Sequence, residues 1–191
     1  MKKLVILDRD GVINHESSDF IKSPAEWLPI DRSLEAIANL TQAGFQVVIA
    51  TNQSGLARGL FDVRALNAMH DKMHRLVAQA GGRIDAIFYC PHAAVDECDC
   101  RKPKPGMVLE IAQRFGVNVC DLTLIGDSLR DLQAIAAVGG QPMLVKTGNG
   151  LKTLATNQLP HHTAIFDDLY AAASALISAT LQLTETEGLS S

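Results

Sequence analysis

The sequence has no excess of basic residues, no long apolar run and few cysteines. Its 17 lysines and arginines stand against 21 aspartates and glutamates, so the net charge is −4. A chain with this balance has no positive field that would attract nucleic acid or an anionic membrane surface. No uninterrupted apolar stretch approaches the ~18 residues of a membrane span, and the apolar run at residues 4–7 is too short for the core of a signal peptide. We therefore expect a cytoplasmic protein that binds neither nucleic acid nor a membrane.

Three of the four cysteines lie close together beside a histidine. Cys90 is followed by His92, and then by Cys98 and Cys100. In a cytosolic protein this clustering indicates metal binding rather than disulfides. Three thiolates and one imidazole form a common tetrahedral Zn²⁺ site that is closed to water. We predict a structural zinc loop over about residues 90–105.

Apolar runs of strand length alternate with helical patterns along almost the whole chain. The predicted strands cover residues 4–7, 45–50, 86–89, 122–125, 142–145 and 164–166. The predicted helices cover residues 32–43, 63–80, 106–115, 129–138 and 168–183. Nearly continuous apolar strands separated by helices indicate a parallel sheet that is covered on both faces. The expected fold class is α/β, with a doubly wound, Rossmann-like, mostly parallel sheet.

The length of 191 residues suits one domain with a substantial core. No segment is large enough for a second domain, so we expect a single domain over residues 1–183. The polar segment 184–191 is predicted to be a flexible C-terminal tail. The longest irregular stretches, about residues 13–30 and 90–105, are candidates for functional loops.

The first predicted strand ends in two carboxylates, Asp8 and Asp10, followed at once by Gly11. The carboxyl ends of parallel strands form the edge at which open α/β folds bind their ligands. Two carboxylates at that edge suit Mg²⁺, which takes oxygen ligands and keeps several waters. The same pair can supply a nucleophile and a proton shuttle.

Further polar groups are predicted at the same edge of the sheet. The second strand is followed by hydroxyls and amides that can hold phosphate oxygens, on Thr51, Asn52, Gln53 and Ser54. The fourth strand is followed by a second acidic pair, Asp127 and Asp131. Arg101 and Lys102, which come directly after the cysteine cluster, bring cations to these carboxylates. The order of the sets along the chain indicates one shared site.

The motifs DRDGVIN, TNQSG and GDSLRD, with a lysine between the last two, resemble those of the haloacid-dehalogenase-like phosphohydrolases. The resemblance covers about residues 3–150. It implies that Asp8 is the nucleophile that forms an aspartyl-phosphate, and that Asp10 protonates the leaving alcohol and then activates water. It also implies that Thr51 and Lys102 bind the transferring phosphoryl group, and that Asp127 completes a Mg²⁺ site with Asp8 and the backbone carbonyl of Asp10. Asp131 resembles a supporting acid that orients water or the lysine.

The added motifs YCPH and CDCRKPKPGM resemble a small zinc-carrying branch of that family, which lacks a large cap domain. This closer resemblance implies removal of the C7 phosphate of D-glycero-D-manno-heptose 1,7-bisphosphate, in the biosynthesis of nucleotide-activated heptose for lipopolysaccharide. It implies that Arg101 contacts the retained phosphate or the sugar. It further implies a substrate-facing loop that contains Glu16, Ser17, Ser18 and Asp19, opposite the segment from Thr51 to Ser54. The expected protein is a monomer whose partner is a small sugar bisphosphate.

Two departures from the branch concern the sugar pocket. Ser128 stands where relatives often have a lysine, so no cationic substrate contact is expected there. The spacing from His92 to Cys98 is short, which makes the zinc loop compact. Arg58 could reach a phosphate or form a surface salt bridge.

Two other functions stay open on the sequence alone. One is a histidinol-phosphate phosphatase, because that enzyme has a similar zinc loop and the same catalytic motifs. The other is a non-catalytic binding module stabilised by zinc, which the joint presence of a nucleophile and its acid disfavours. Of the residues outside these motifs, His70 and His74 are predicted to lie on a solvated helix face. Trp27 could pack under the loop after the first strand or touch substrate, and packing is the favoured role.

Overall fold

The structure is a computed structural model that describes residues 3–188. Its centre is a sheet of six parallel strands in the order β3-β2-β1-β4-β5-β6. The strands are β1 Leu4–Leu7, β2 Gln46–Asn52, β3 Ala86–Cys90, β4 Thr123–Gly126, β5 Gln141–Val145 and β6 Ala164–Phe166. The predicted fold class is confirmed. β2 is longer than predicted, because Thr51 and Asn52 still pair with Tyr89 and Cys90 of β3.

Six α-helices connect and cover the strands within the described part of the chain. They are α1 Ser33–Gln42, α2 Val63–Gln79, α3 Gly106–Phe115, α4 Leu129–Ala136, α5 Gly150–Ala155 and α6 Leu169–Gly188. The short α5 was not predicted, because six residues are too few to display a helical period. The helix α6 overlaps the predicted tail 184–191, whose last three residues lie outside the described residues. No helix within residues 3–188 has both the length and the apolar character that crossing a membrane requires.

The alternation of side chains along the strands divides the core into two layers. Val5 and Leu7 of β1 join the layer under α1, α2 and α6, whereas Leu4 and Ile6 join the layer under α3 and α4. Trp27 is fully buried in the first layer, which confirms its predicted packing role. Both faces of the sheet are therefore covered, and its carboxyl edge is left for polar groups.

The carboxyl edge carries the two long loops. The connection between β1 and α1 is held against α2, because the Lys72 ammonium donates to the backbone carbonyls of Pro24 and Trp27 at 2.6 and 2.7 Å. The strand order reverses between β1 and β4, the point where doubly wound sheets form a crevice for ligands. Both loops border that crevice.

Candidate active site

Three buried carboxylates lie together at the point where the strand order reverses. Asp8 follows β1, Asp127 follows β4, and Asp131 is in the first turn of α4. One carboxylate oxygen from each residue lies within 4.8 Å of the others. The parallel register that pairs β1 with β4 brings Asp8 and Asp127 to the same height, as the sequence predicted.

The Lys102 ammonium is buried among these carboxylates. Its Nζ lies 2.9 Å from Asp8 Oδ1 and 2.6 Å from Asp131 Oδ1, and it donates to the carbonyl of Ala50 at 2.6 Å. Burial alone would lower the pKa of Lys102, but the charges of Asp131 and Asp8 outweigh that effect and raise it. Lys102 is therefore cationic and bridges two acids.

The backbone at Lys102 is fixed by the end of β2. The amide nitrogen Nδ2 of Asn52 donates to the Lys102 carbonyl at 3.0 Å, and the Lys102 N–H donates to Asn52 Oδ1 at 3.1 Å. This reciprocal pair holds the loop before α3 against the sheet. Asn52, predicted as a substrate contact, thus also positions the lysine.

Asp131 is held by the start of its own helix. Both the N–H and the hydroxyl of Ser128 donate to Asp131 Oδ2, which forms the capping box of α4. The other oxygen, Oδ1, faces Lys102. Asp131 therefore supports the lysine, the role that the resemblance implied, and Ser128 serves the helix cap.

Asp127 is enclosed by two loops that approach it closely. Its Oδ2 accepts from the N–H of Asn149 at 2.7 Å. A β-carbon at Gly11 or at Gly148 would collide with the same carboxylate, and both glycines have positive φ. The unpredicted helix α5 contributes as well, because the Thr153 hydroxyl donates to the Asp127 carbonyl at 2.8 Å.

The three carboxylates lie around the single charge of Lys102, and the pKa values of Asp8 and Asp127 reflect this crowding. Burial, followed by the charge of Asp131, raises the pKa of Asp8 to about 6, although Lys102 opposes the shift. Burial, followed by the charges of Asp8 and Asp131, raises the pKa of Asp127 to about 8. A divalent cation that binds carboxylate oxygen would relieve this repulsion. Asp8 and Asp127 therefore suit a hard metal ion, whereas both oxygens of Asp131 already have partners.

The Asp10 carboxylate is engaged on both oxygens. The Arg9 guanidinium donates to it from Nε and Nη2 at 2.8 to 3.1 Å, and Asn14 Nδ2 donates at 2.9 Å. Gln53 Nε2 donates to Asp10 Oδ2 at 3.0 Å and to the Thr51 hydroxyl at 2.8 Å. Burial opposes ionisation of Asp10, but the Arg9 charge and these hydrogen bonds outweigh it and lower its pKa.

A cavity of about 330 Å³ opens above these groups. Most of the predicted catalytic and substrate-binding residues line it: Asp8, Asp10, Glu16, Ser17, Ser18, Thr51, Asn52, Gln53, Ser54, Arg101 and Lys102. Asp19 is outside the lining, because its carboxylate is 89% exposed and pairs with Lys22 at 2.9 Å. Its contact with substrate therefore stays a prediction.

Several residues that line the cavity had not been assigned to the site. They are Arg9, Phe20, Ile21, Arg58, Phe61 and Arg130. The Arg58 guanidinium lies 5.7 Å from the centre of the Phe20 ring, so it faces the cavity rather than a surface acid. Arg130 follows Ser128 by two residues, within the GDSLRD motif, and places a cation in the lining of the cavity.

The cysteine cluster forms a second compact donor set. The Sγ atoms of Cys90, Cys98 and Cys100 are 3.4 to 3.6 Å apart, and His92 Nδ1 lies 3.6 Å from Cys90 Sγ and 3.3 Å from Cys100 Sγ. Tetrahedral Zn²⁺ with bonds of about 2.3 Å to sulfur requires neighbouring sulfurs about 3.8 Å apart. The predicted four residues therefore converge with the spacing and the donor atoms that zinc uses.

The sequence matches the haloacid dehalogenase-like hydrolase family over residues 3–139. The chain belongs to this family. Among its curated relatives, a D-glycero-beta-D-manno-heptose-1,7-bisphosphate 7-phosphatase of Bordetella bronchiseptica is 59% identical over 175 residues, which are 92% of this chain and 98% of the relative. A protein of the same name from Neisseria meningitidis serogroup A is 58% identical over 169 residues, which are 87% of this chain and 90% of the relative.

A solved structure of a haloacid dehalogenase-like relative agrees with this fold. The D,D-heptose 1,7-bisphosphate phosphatase from B. bronchiseptica, complexed with magnesium and phosphate, superposes with a TM-score of 0.91 at 59% identity. The match covers 93% of this chain and 99% of that one. Over the matched 93% of its length, this chain therefore has the fold of that phosphatase.

Proposed function

We propose that this protein removes the C7 phosphate of D-glycero-D-manno-heptose 1,7-bisphosphate through an aspartyl-phosphate at Asp8. The observation that carries the proposal is the contact of Lys102 with Asp8 at 2.9 Å, at the base of the cavity and beside Asp127. A carboxylate next to a buried cation can attack a phosphoryl group whose negative charge that cation offsets. The named relatives support the choice of substrate.

We infer that Asp8, Asp127 and the backbone carbonyl of Asp10 hold Mg²⁺. The fit rests on the donor set, because a carboxylate oxygen of Asp8 and one of Asp127 lie within 4.8 Å of each other. The raised pKa values of both groups agree with this crowding of negative charge. When bound, Mg²⁺ supplies charge that offsets the phosphoryl oxygens. The Mg²⁺ in the relative's structure supports the same assignment.

In the first step, a carboxylate oxygen of Asp8 attacks phosphorus and the bond from phosphorus to the C7 oxygen breaks. Asp10 must carry a proton in the substrate complex, against the lowered pKa that Arg9 gives it in the free protein. It delivers that proton to the departing C7 oxygen, so the product leaves as an alcohol. In the second step, Asp10 takes a proton from water, the water oxygen bonds to phosphorus, and inorganic phosphate leaves Asp8. Thr51 and Lys102 bind the phosphoryl oxygens during both steps.

Arg101 is the proposed contact to the retained phosphate. It lines the cavity one residue before Lys102, and its Nη1 donates to the His92 carbonyl at 3.2 Å. A guanidinium has a planar fork of donors that suits a phosphate better than a single ammonium does. Glu16, which contacts Asn149 beside Asp127, places the opposite loop over the same cavity.

We further propose that Zn²⁺ binds Cys90, His92, Cys98 and Cys100 and has a structural role. Four protein ligands leave no open position for water. The loop is short and its last ligand, Cys100, directly precedes Arg101, so metal binding would order the segment that carries the cations. Free thiols at this spacing suit a reducing compartment, which supports a cytoplasmic location.

The test is a comparison of kcat/KM for heptose 1,7-bisphosphate and histidinol phosphate. We expect the bisphosphate to be strongly preferred, because Arg101 has no second phosphate to bind in histidinol phosphate. Arg101→Ala should lower kcat/KM for the bisphosphate by roughly 10–100-fold, the cost of a lost charge-assisted contact of 1.5–3 kcal/mol. A small monophosphate should be affected little by the same substitution.

The matched control is Lys104→Ala, since Lys104 is an exposed cation of the same loop that pairs with Asp99. Lys104→Ala should leave kcat/KM unchanged for both substrates. A preference for histidinol phosphate would replace the proposed substrate. The absence of turnover with either compound, in the presence of Mg²⁺, would support a binding module instead.

A further inference from the structure

His70 is buried on the core side of α2, although the sequence predicted a solvated position. It is 7% exposed, and its Nε2 lies 3.4 Å from Arg9 Nη1. His74, one helical turn further, is exposed as predicted. The physical reason is that His70 falls between the buried Leu66 and Met73 on the apolar face of the helix.

Arg9 itself is almost completely buried, and its guanidinium has two different partners. Nε and Nη2 donate to Asp10, whereas Nη1 faces His70. Asn14 and Gln53 complete the hydrogen bonds of the Asp10 carboxylate. A chain of contacts therefore joins α2, through Arg9, to the proposed acid.

His70 has the chemical form that this contact requires. Burial and then the charge of Arg9 lower the pKa of His70 to about 4, with a smaller effect in the same direction from His74 and an opposing one from Asp10. The imidazole is therefore neutral at physiological pH and its Nε2 accepts from the guanidinium. The Tyr89 ring packs beside the imidazole, with centroids 6.4 Å apart.

We propose that His70 is a positioning residue for the proton-transfer step, because it anchors Arg9 and Arg9 orients the Asp10 carboxylate. The proposal rests on the proposed phosphatase function. Without the acceptor at position 70, one buried N–H group of Arg9 loses its partner and the guanidinium is free to shift. Asp10 would then be misplaced relative to the departing oxygen, while Asp8 and Lys102 keep their contacts.

The experiment compares two substrates that differ in their need for an acid. Heptose 1,7-bisphosphate releases an alcohol, which requires a proton from Asp10, whereas p-nitrophenyl phosphate releases a phenolate that is stable without one. The quantity measured is kcat/KM, which reports phosphoryl transfer to Asp8. The variants are His70→Leu and His70→Met, which remove the acceptor, and His70→Gln, which restores one. His74→Leu is the matched control on the same helix.

We expect His70→Leu and His70→Met to lower kcat/KM for heptose bisphosphate about tenfold or more, within the 10²–10⁴-fold total that general acid–base catalysis supplies. With p-nitrophenyl phosphate the change should stay within about twofold, because general acid help is not needed. His70→Gln should recover most of the loss, and His74→Leu should match the wild type on both substrates.

An equal loss on both substrates in folded variants would show that His70 only supports the core, and would overturn the proposal. Unchanged kcat/KM on heptose bisphosphate would overturn it too, as would failure of His70→Gln to recover activity while keeping a wild-type melting temperature. If His70→Leu does not fold, His70→Gln and the flexible His70→Met decide the matter. A wild-type protein inactive on both substrates would instead refute the proposed phosphatase.

Discussion

Replacing Lys102 by methionine tests whether the buried charges at the base of the cavity are organised as described. The lysine side chain is 1% exposed and contacts Asp8 at 2.9 Å and Asp131 at 2.6 Å. Lys102→Met keeps most of the apolar volume but leaves two buried carboxylates without their cation. Removing one partner of a buried ion pair costs about 3–5 kcal/mol of stability.

The loss of transition-state stabilisation should be comparable with the loss of folding stability. Loss of one group that stabilises transition-state charge lowers kcat by roughly 10²–10³-fold, and Lys102 carries a full charge rather than a dipole. The comparison is Lys104→Met, whose side chain is 48% exposed and pairs with the exposed Asp99. A surface pair of that kind contributes about 0–1 kcal/mol.

Urea denaturation and steady-state kinetics on heptose 1,7-bisphosphate measure the two effects. A double variant separates the loss of stability from the loss of activity. Asp131→Asn removes one of the two carboxylate charges that Lys102→Met leaves without a cation. In the Asp131→Asn background, Lys102→Met should therefore destabilise the protein less than it does alone, while kcat stays low. A cost below about 1 kcal/mol for Lys102→Met, or an unchanged kcat, would refute the assignment of Lys102 as a buried phosphate-binding cation.

Three further predictions concern the metals and the glycines. Cys98→Ser should reduce the zinc content, measured by elemental analysis, and lower activity by loosening the segment that carries Arg101; wild-type protein prepared without chelators that holds no zinc would contradict this. Because the pKa of Asp127 is raised to about 8, the folded chain keeps this proton more tightly than the unfolded chain, so the melting temperature of metal-free protein should fall as pH rises from about 4 to about 8. Added Mg²⁺ should raise the melting temperature most at the alkaline end of this range. A Mg²⁺-induced rise that does not depend on pH would argue against a Mg²⁺ site at Asp127. Gly148→Ala, at a position with φ of +56° beside Asp127, should weaken Mg²⁺ affinity in a calorimetric titration, whereas Gly59→Ala, also at positive φ but with open space around it, should leave that affinity unchanged.

The sheet and the acidic centre were predictable because they depend on local patterns. The apolar run at residues 4–7 is buried on both faces, so its composition alone indicates a central parallel strand. Asp8 and Asp127 come directly after neighbouring strands, and parallel strands end at the same edge. The convergence of Cys90, His92, Cys98 and Cys100 was predictable for a similar reason, since all four lie on one short loop.

Other parts of the site depend on contacts that no local pattern displays. His70 approaches Arg9 across 61 residues of sequence, and only its place between apolar residues of α2 could have indicated burial. The Asp127 carboxylate is enclosed because of the path that the loop after β5 takes. That loop brings the Asn149 N–H to the carboxylate. The exposed position of Asp19 could not be predicted, because a loop position does not determine which side chains turn inward, and this one pairs with Lys22.

The most direct test of the account is chemical identification of the phosphorylated residue. Protein that is turning over heptose 1,7-bisphosphate with Mg²⁺ is treated with borohydride, which reduces an aspartyl-phosphate to homoserine, and its peptides are analysed by mass spectrometry. We expect homoserine at position 8 in the wild type, none in Asp8→Asn, and no turnover by that variant. Turnover by Asp8→Asn, or modification of a different residue, would contradict the central claim that Asp8 carries the transferred phosphoryl group.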